Sequence, residues 1–238
     1  MNQNPKNSRK NERGNIMFMI LIAIVLIATL TAVISGSDNS ENSSIDRETL
    51  AIRATEIQRY ASELERGITY IMQNGHSESD IRFAIPTDGA NSTGYGDLAA
   101  DTDPTDQMFH RDGGGANYRD PPDNIQTTAS AWEFYGGSQI PGVGTSKADL
   151  IAVLPNLTQQ MCEKINEIND QTASPAEDAS GSINEGASQR FGSGGTPVTF
   201  DDTTPNTLNT TTFSKQPALQ ACVNAAGTYH FYHVIMPR

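Results

Sequence analysis

Hydrophobic and polar residues follow three different rhythms along this chain. Residues 16–34 read IMFMILIAIVLIATLTAVI, an apolar run without a charged side chain. Coiled as a helix, the run spans roughly 29 Å, about the thickness of a bilayer hydrocarbon core. Its Ile, Leu, Val and Phe residues favour insertion by about 4 to 7 kcal/mol. The next stretch, 35–44, reads SGSDNSENSS, has no apolar side chain, and predicts a flexible link or helix break. From 45 to 74 the rhythm becomes helical: Leu50, Ala54, Ile57, Ala61, Leu64, Ile68 and Ile71 recur at alternating spacings of four and three, widened by Tyr60 and Met72. One apolar stripe results, with Arg53, Glu56, Arg59, Glu63 and Arg66 outside it. The pattern predicts an amphipathic helix laid on a globular domain, stopped at Asn74-Gly75.

Beyond Gly75 the helical period gives way to short strands and glycine-rich loops. Residues 80–86 alternate as a strand does, and Ala131–Tyr135 and Thr228–Met236 are rich in aromatic and β-branched residues. Ser146 with Asp149 has the spacing of a capping box and predicts a helix through Leu154, broken by Pro155. Asn156 is placed to cap a second helix carrying Leu157, Met161, Cys162, Ile165 and Ile168. Residues 170–215 are dominated by Ser, Thr, Gly, Asn, Asp and Ala, with Ile183, Phe191, Val198, Phe200, Leu208 and Phe213 scattered among them. A segment with so few apolar groups predicts a mobile surface loop. The fold class expected is α+β: a transmembrane helix, then an amphipathic helix packed on a small antiparallel sheet with long loops. The divisions are a basic leader over 1–14, an anchor over 15–34, a linker over 35–44 and one exported domain over 45–238.

Charge gives the anchor a direction. Lys6, Arg9, Lys10 and Arg13 against Glu12 make the leader +3 in a chain of net −12, leaving −15 for the rest. Basic residues before an apolar helix stay in the cytoplasm, which sends the acidic remainder across the membrane. So acidic a domain has no electrostatic footprint for nucleic acid. A cleaved secretory signal is the alternative, with Val33 and Ser35 as the small residues before a cut at Gly36. Under either reading the domain is exported.

The junction Arg13-Gly14-Asn15 narrows the reading. A short basic leader ending in Gly, followed at once by an apolar helix, resembles the class III signal of type IV pilins and pseudopilins. The resemblance covers about residues 9–34 and the helix that follows. It implies cleavage by a prepilin peptidase between Gly14 and Asn15, leaving the helix as both anchor and packing element of a bacterial filament. Met19 stands where the family usually carries a Glu that pairs with a neighbour's N-terminal amine, and this departure points to a minor, low-copy member. The implied location is the inner membrane, single-pass, with the N-terminus cytoplasmic and the domain periplasmic or extracellular. The implied partners are membrane lipid, pilin-like or secretion-system subunits and the peptidase.

Candidate chemistry changes this picture little. Cys162 and Cys222 are the only cysteines, and in an exported chain they are expected to pair across 60 residues. Neither has a second Cys or a His at ligand spacing, so no metal site and no cofactor is expected. His230 and His233, three apart in a predicted strand, would face opposite sides of the sheet. Asp101, Asp103 and Asp106 lack the glycine and distal Glu of a calcium loop. Residues 108–122 contain Gly113-Gly114-Gly115 without the strand-to-helix setting of a phosphate loop, and predict a tight turn or close backbone contact. No catalytic constellation emerges. The expected role is structural, a minor pilin-like or pseudopilin-like subunit. The alternatives are a membrane-tethered binding module without a filament and, further off, an envelope hydrolase using His110 or His230.

Overall fold

The computed structural model describes residues 12–88, 93–100, 102–192, 198–209 and 213–238. The chain divides into two compact units, Met1–Thr49 and Leu50–Arg238. Helix α1, Glu12–Gln73, supplies the secondary structure of the first unit and continues into the second. The leader 1–11 lies outside the described residues, while Gly14 and Asn15 have helical backbone. The described apolar side chains of the first unit, residues 17–29, are all exposed, with Met17, Phe18, Leu21, Ile24 and Ile27 each about 60% exposed or more. Among the described residues no helix is long and apolar enough to cross a membrane, so the anchor over 15–34 rests on the sequence. Residues 35–44, expected to break the helix, are helical. Ser, Asn and Asp are weak helix formers, but the stretch has no proline and one glycine, so nothing in it stops propagation.

In the second unit α1 buries the predicted stripe. Ala54, Ile57, Tyr60, Ala61, Leu64, Ile68 and Ile71 are 3% exposed or less. They pack on a six-stranded sheet of order β3-β5-β6-β2-β1-β4. In chain order the strands are β1 Glu133–Gln139, β2 Asp149–Leu157, β3 Ala176–Glu177, β4 Asn206–Thr207, β5 Gln220–Ala225 and β6 Thr228–Met236. The four inner strands pair antiparallel, and the two-residue edge strands β3 and β4 add on in parallel. A second helix, α2 Gln159–Ile168, lies on the α1 side, its first turn capped by the Thr158 hydroxyl, which accepts from Met161 N at 3.3 Å.

Strand alternation builds two cores. Phe134, Ala152, Leu154, Cys222, Phe231 and Ile235 face the helices. Tyr135, Ile151, Val153, Ala221, Val223, Tyr232 and Val234 face away, and this second face is also covered. Its cover is the segment expected to be mobile. Ile183 is fully buried, Leu208 is 1% exposed, and both belong with Phe213 and Ala218 to the second core, to which Ile140 and Val143 also contribute, whereas Phe191, fully buried too, joins the helix-side core. The scattered apolar residues are few, but the sheet needs only a few to seal a face already made of its own Tyr and Val side chains.

Two other expectations fail for identifiable reasons. Residues 149–157 form central strand β2, not a helix. The run Leu150-Ile151-Ala152-Val153-Leu154 is apolar on both faces because both faces are covered, a pattern that periodicity cannot separate from a buried helix. The second helix consequently starts later, and Asn156 is a left-handed residue at φ 60° rather than a cap. Residues 80–86 join no sheet strand. Arg82 and Ile85 make isolated parallel bridges to Gln107 and Asp97, while Ile81 and Phe83 plug into the helix-side core.

Candidate functional site

The residues singled out in the sequence are scattered over the fold. Cys162 on α2 and Cys222 on β5 form a disulfide, with Cα atoms 5.3 Å apart and both side chains fully buried. His76 Nε2 lies 2.9 Å from Thr105 Oγ1. His110 accepts from the amide of Asp112 at 3.2 Å, in an exposed turn. His233 faces helix α1, with Nε2 3.1 Å from Glu65 Oε2, whereas His230 lies on the other face. His230 is 4% exposed, its Nδ1 has no hydrogen-bond partner among the described residues, and burial pushes its pKa down. Asp101 lies outside the described residues, and Asp103 caps a 3-10 turn by accepting from Thr105 N at 3.1 Å. No group of three or more potential metal ligands occurs among the described residues.

Glycines 113–115 have a packing explanation. A Cβ on Gly113 would sit 2.1 Å from Gln107 O, and one on Gly114 would sit 2.7 Å from Met108 O. The loop folds back on itself and presses Met108 against Gly67 of α1, where a Cβ would meet the Met108 sulfur at 2.6 Å. These glycines let a loop and a helix touch.

A concave feature with concentrated polar groups was not singled out from the sequence. It lies beside β1, a cleft of about 560 Å³ bordered by residues 180–189 and 198–206. Two adjacent glycines make it. A Cβ on Gly136 would strike the Phe191 ring at 2.6 Å, and one on Gly137 would lie 2.3 Å from Glu185 Oε2. The covering segment can thus approach the strand backbone closely. Its turn is organised by Asp178, 1% exposed, whose carboxylate accepts from Ser182 N and Ile183 N at 3.0 Å and from Ser182 Oγ at 2.7 Å. The Tyr135 hydroxyl lies 2.8 Å from Glu133 Oε2 and 3.1 Å from Asn184 Oδ1, and Glu133 is ion-paired with Arg190.

The two carboxylates of the cleft are held differently. Glu185 Oε1 accepts from Gly137 N at 3.2 Å and lies 2.9 Å from Ser138 Oγ. Burial raises its pKa, against the lowering effect of those two contacts. Ser138 has one hydroxyl hydrogen, also directed at Ser182 O, so it cannot fully serve both oxygens. Asp201 is exposed and accepts from Thr203 N and Thr204 N at 3.0 Å, and these amides hold its pKa down. The tandem glycine inside an aromatic strand was the available sequence signal, since glycine in a strand marks a close backbone approach.

No family model matches this chain, and neither a curated protein nor a solved structure resembles it.

Proposed function

We propose that the protein is a minor pilin-like or pseudopilin-like subunit of a type IV filament or secretion system, held in the inner membrane by its N-terminal helix. The observation that carries this reading is the dual character of α1. Residues 17–29 expose apolar side chains around the whole circumference, whereas 54–71 bury a single stripe on a largely antiparallel sheet. A helix apolar on all sides needs lipid or other helices around it, and one apolar on a single stripe needs a domain. The backbone stays helical through 35–44, where the polar composition had predicted a break, so the all-round apolar segment and the striped segment share one helix. The buried disulfide suits an oxidising compartment outside the cytoplasm. The partners on this reading are membrane lipid, neighbouring filament or secretion-system subunits, and the prepilin peptidase that would cut between Gly14 and Asn15.

N-terminal sequencing of the native membrane-bound protein tests the proposal. A start at Asn15 supports it. A start near Gly36 would make the protein a secreted domain. A start at Met1 would favour the second reading, a membrane-tethered binding module, for which the polar cleft beside β1 is the supporting observation.

A further inference from the structure

The cleft beside β1 has a chemistry that points to a ligand class. Among its lining residues are Asn184, Gln189, Thr199 and Asn206, the two carboxylates already described, and no Lys, Arg or His. Asn184 uses its Oδ1 to accept from Gly186 N at 3.3 Å and to meet Tyr135, leaving its Nδ2 without a partner among the described residues. The side chains of Gln189, Thr199 and Asn206 make no hydrogen bond among the described residues, so each offers donor and acceptor capacity to a guest. The floor is built rather than accidental: Gly137 has no side chain because the Glu185 carboxylate occupies that space, fixed by Gly137 N and Ser138 Oγ.

Elimination narrows the guest. An anion would find no cation in the lining. An apolar ligand would find Val198 as the only large aliphatic wall. A metal ion would find no group of three or more His, Cys, Asp or Glu side chains among the described residues. An organic cation would find Asp201, both of whose oxygens are already engaged by Thr203 and Thr204, and one oxygen of Glu185, whose burial beside the Gly137 backbone disfavours the charged form. That leaves a neutral molecule that both donates and accepts around its perimeter, in a volume within the range of about 300–1,000 Å³ usual for small-molecule sites.

We infer that the cleft formed by Gly137, Asn184, Glu185, Gln189, Thr199 and Asn206 is a binding site for an uncharged polyhydroxylated ligand, a saccharide. The amides and the threonine hydroxyl read vicinal hydroxyl pairs, and Glu185 Oε2 accepts from one of them. The raised pKa of Glu185 fits a neutral guest better than a charged one. The inference goes beyond the pilin-like reading and holds whether or not the leader is processed.

The test is calorimetric titration of the full chain, kept in a detergent without a sugar headgroup. The probes are cellotriose, maltotriose and tri-N-acetylchitotriose, with spermidine and inorganic phosphate as charged comparisons. At least one trisaccharide binds with one-site stoichiometry, and neither charged probe binds. Gln189→Ala with Asn206→Ala weakens that binding about tenfold, the loss of two modest hydrogen bonds. Glu185→Gln keeps it within about threefold, because the amide preserves an acceptor in the same place. Thermal melts of the variants confirm an intact fold. Three results overturn the inference: no trisaccharide binds, binding survives the Gln189/Asn206 double substitution in a folded variant, or spermidine binds and is lost in Glu185→Gln.

Discussion

His233 Nε2 lies 3.1 Å from Glu65 Oε2, a contact that ties central strand β6 to the C-terminal turns of helix α1. The imidazole is buried and its Nδ1 meets Gln220 Oε1 at 3.2 Å, while the Glu65 side chain is half exposed. Desolvation therefore prevails over the screened pull of Glu65, and the His233 pKa falls below its ordinary value. His230, on the opposite face, is shifted the same way.

These shifts predict acid sensitivity. A histidine that is harder to protonate in the folded state leaves stability unaffected above the unfolded pKa of about 6.5 and removes stability as pH falls below it. Between pH 7.5 and 5.5 each histidine removes up to about 1.4 kcal/mol. Asp149 and Glu185, raised by burial, act in the opposite sense, so the histidine share is isolated by substitution. His230→Gln and His233→Gln should each flatten the fall in melting temperature over that interval. An unchanged slope in both would show that the two rings are as easily protonated folded as unfolded.

The disulfide closes a 60-residue loop that contains most of the cover of the second sheet face, Ile140 and Val143 lying outside it. By the chain-entropy estimate, Cys162→Ala with Cys222→Ala destabilises the domain by about 4 kcal/mol in denaturant titration. Non-reducing peptide mapping of protein from an oxidising compartment should recover the linked pair. Free thiols in such material would contradict both the bridge and the export on which the topology rests.

The stripe of α1 was legible because one side of the helix is wet: Arg59 and Arg66 are exposed opposite Ile57 and Leu64. The bounds of β6, buried on both faces, were legible instead from its aromatic and β-branched content. The opposite orientations of His230 and His233 follow from a two-residue period. Strand β2 was not legible, since burial on both faces erases its alternation. The second core was hidden for another reason. Its outer layer is a polar segment that contributes single residues such as Ile183 and Leu208, spaced by turns that Asp178 organises through side-chain hydrogen bonds. The cleft was visible only as Gly136-Gly137, a pair whose meaning depends on what Phe191 and Glu185, some 50 residues later, bring against it.

Gly67 should resist even the smallest enlargement. In an exposed helix, alanine for glycine helps by about 0.5–1 kcal/mol. Here the added Cβ meets the Met108 sulfur at 2.6 Å and Gly114 O at 3.1 Å. Gly67→Ala is expected to be destabilising by about 1–2 kcal/mol, as overpacking usually is. Met108→Ala opens space at the same point, so the double variant should be less unstable than the two single losses added together. Strict additivity in a denaturation cycle would mean that the helix and the 108–115 loop do not press on each other.

Asn166 should matter out of proportion to its size. Its Nδ2 donates to Cys222 O at 2.9 Å and its Oδ1 accepts from Cys222 N at 2.8 Å, so a side chain on α2 serves the backbone of β5 as a neighbouring strand would. The residue is 1% exposed, and water cannot replace it. Asn166→Ala leaves both a buried N–H and a buried C=O without a partner, which costs about 2–4 kcal/mol. Asn166→Asp keeps one acceptor but loses the donor and brings a carboxylate into the core, so it should be no better tolerated. Because Cys222 is also tethered to Cys162 on the preceding turn of the same helix, the clamp and the bridge hold one strand to one helix. Asn166→Ala combined with removal of the disulfide should therefore release β5 cooperatively, seen as faster amide exchange at Ala221 and Val223 than in either variant alone. Exchange at those two amides no faster than in the single variants would show that packing of Ala221 and Val223 in the second core holds the strand by itself.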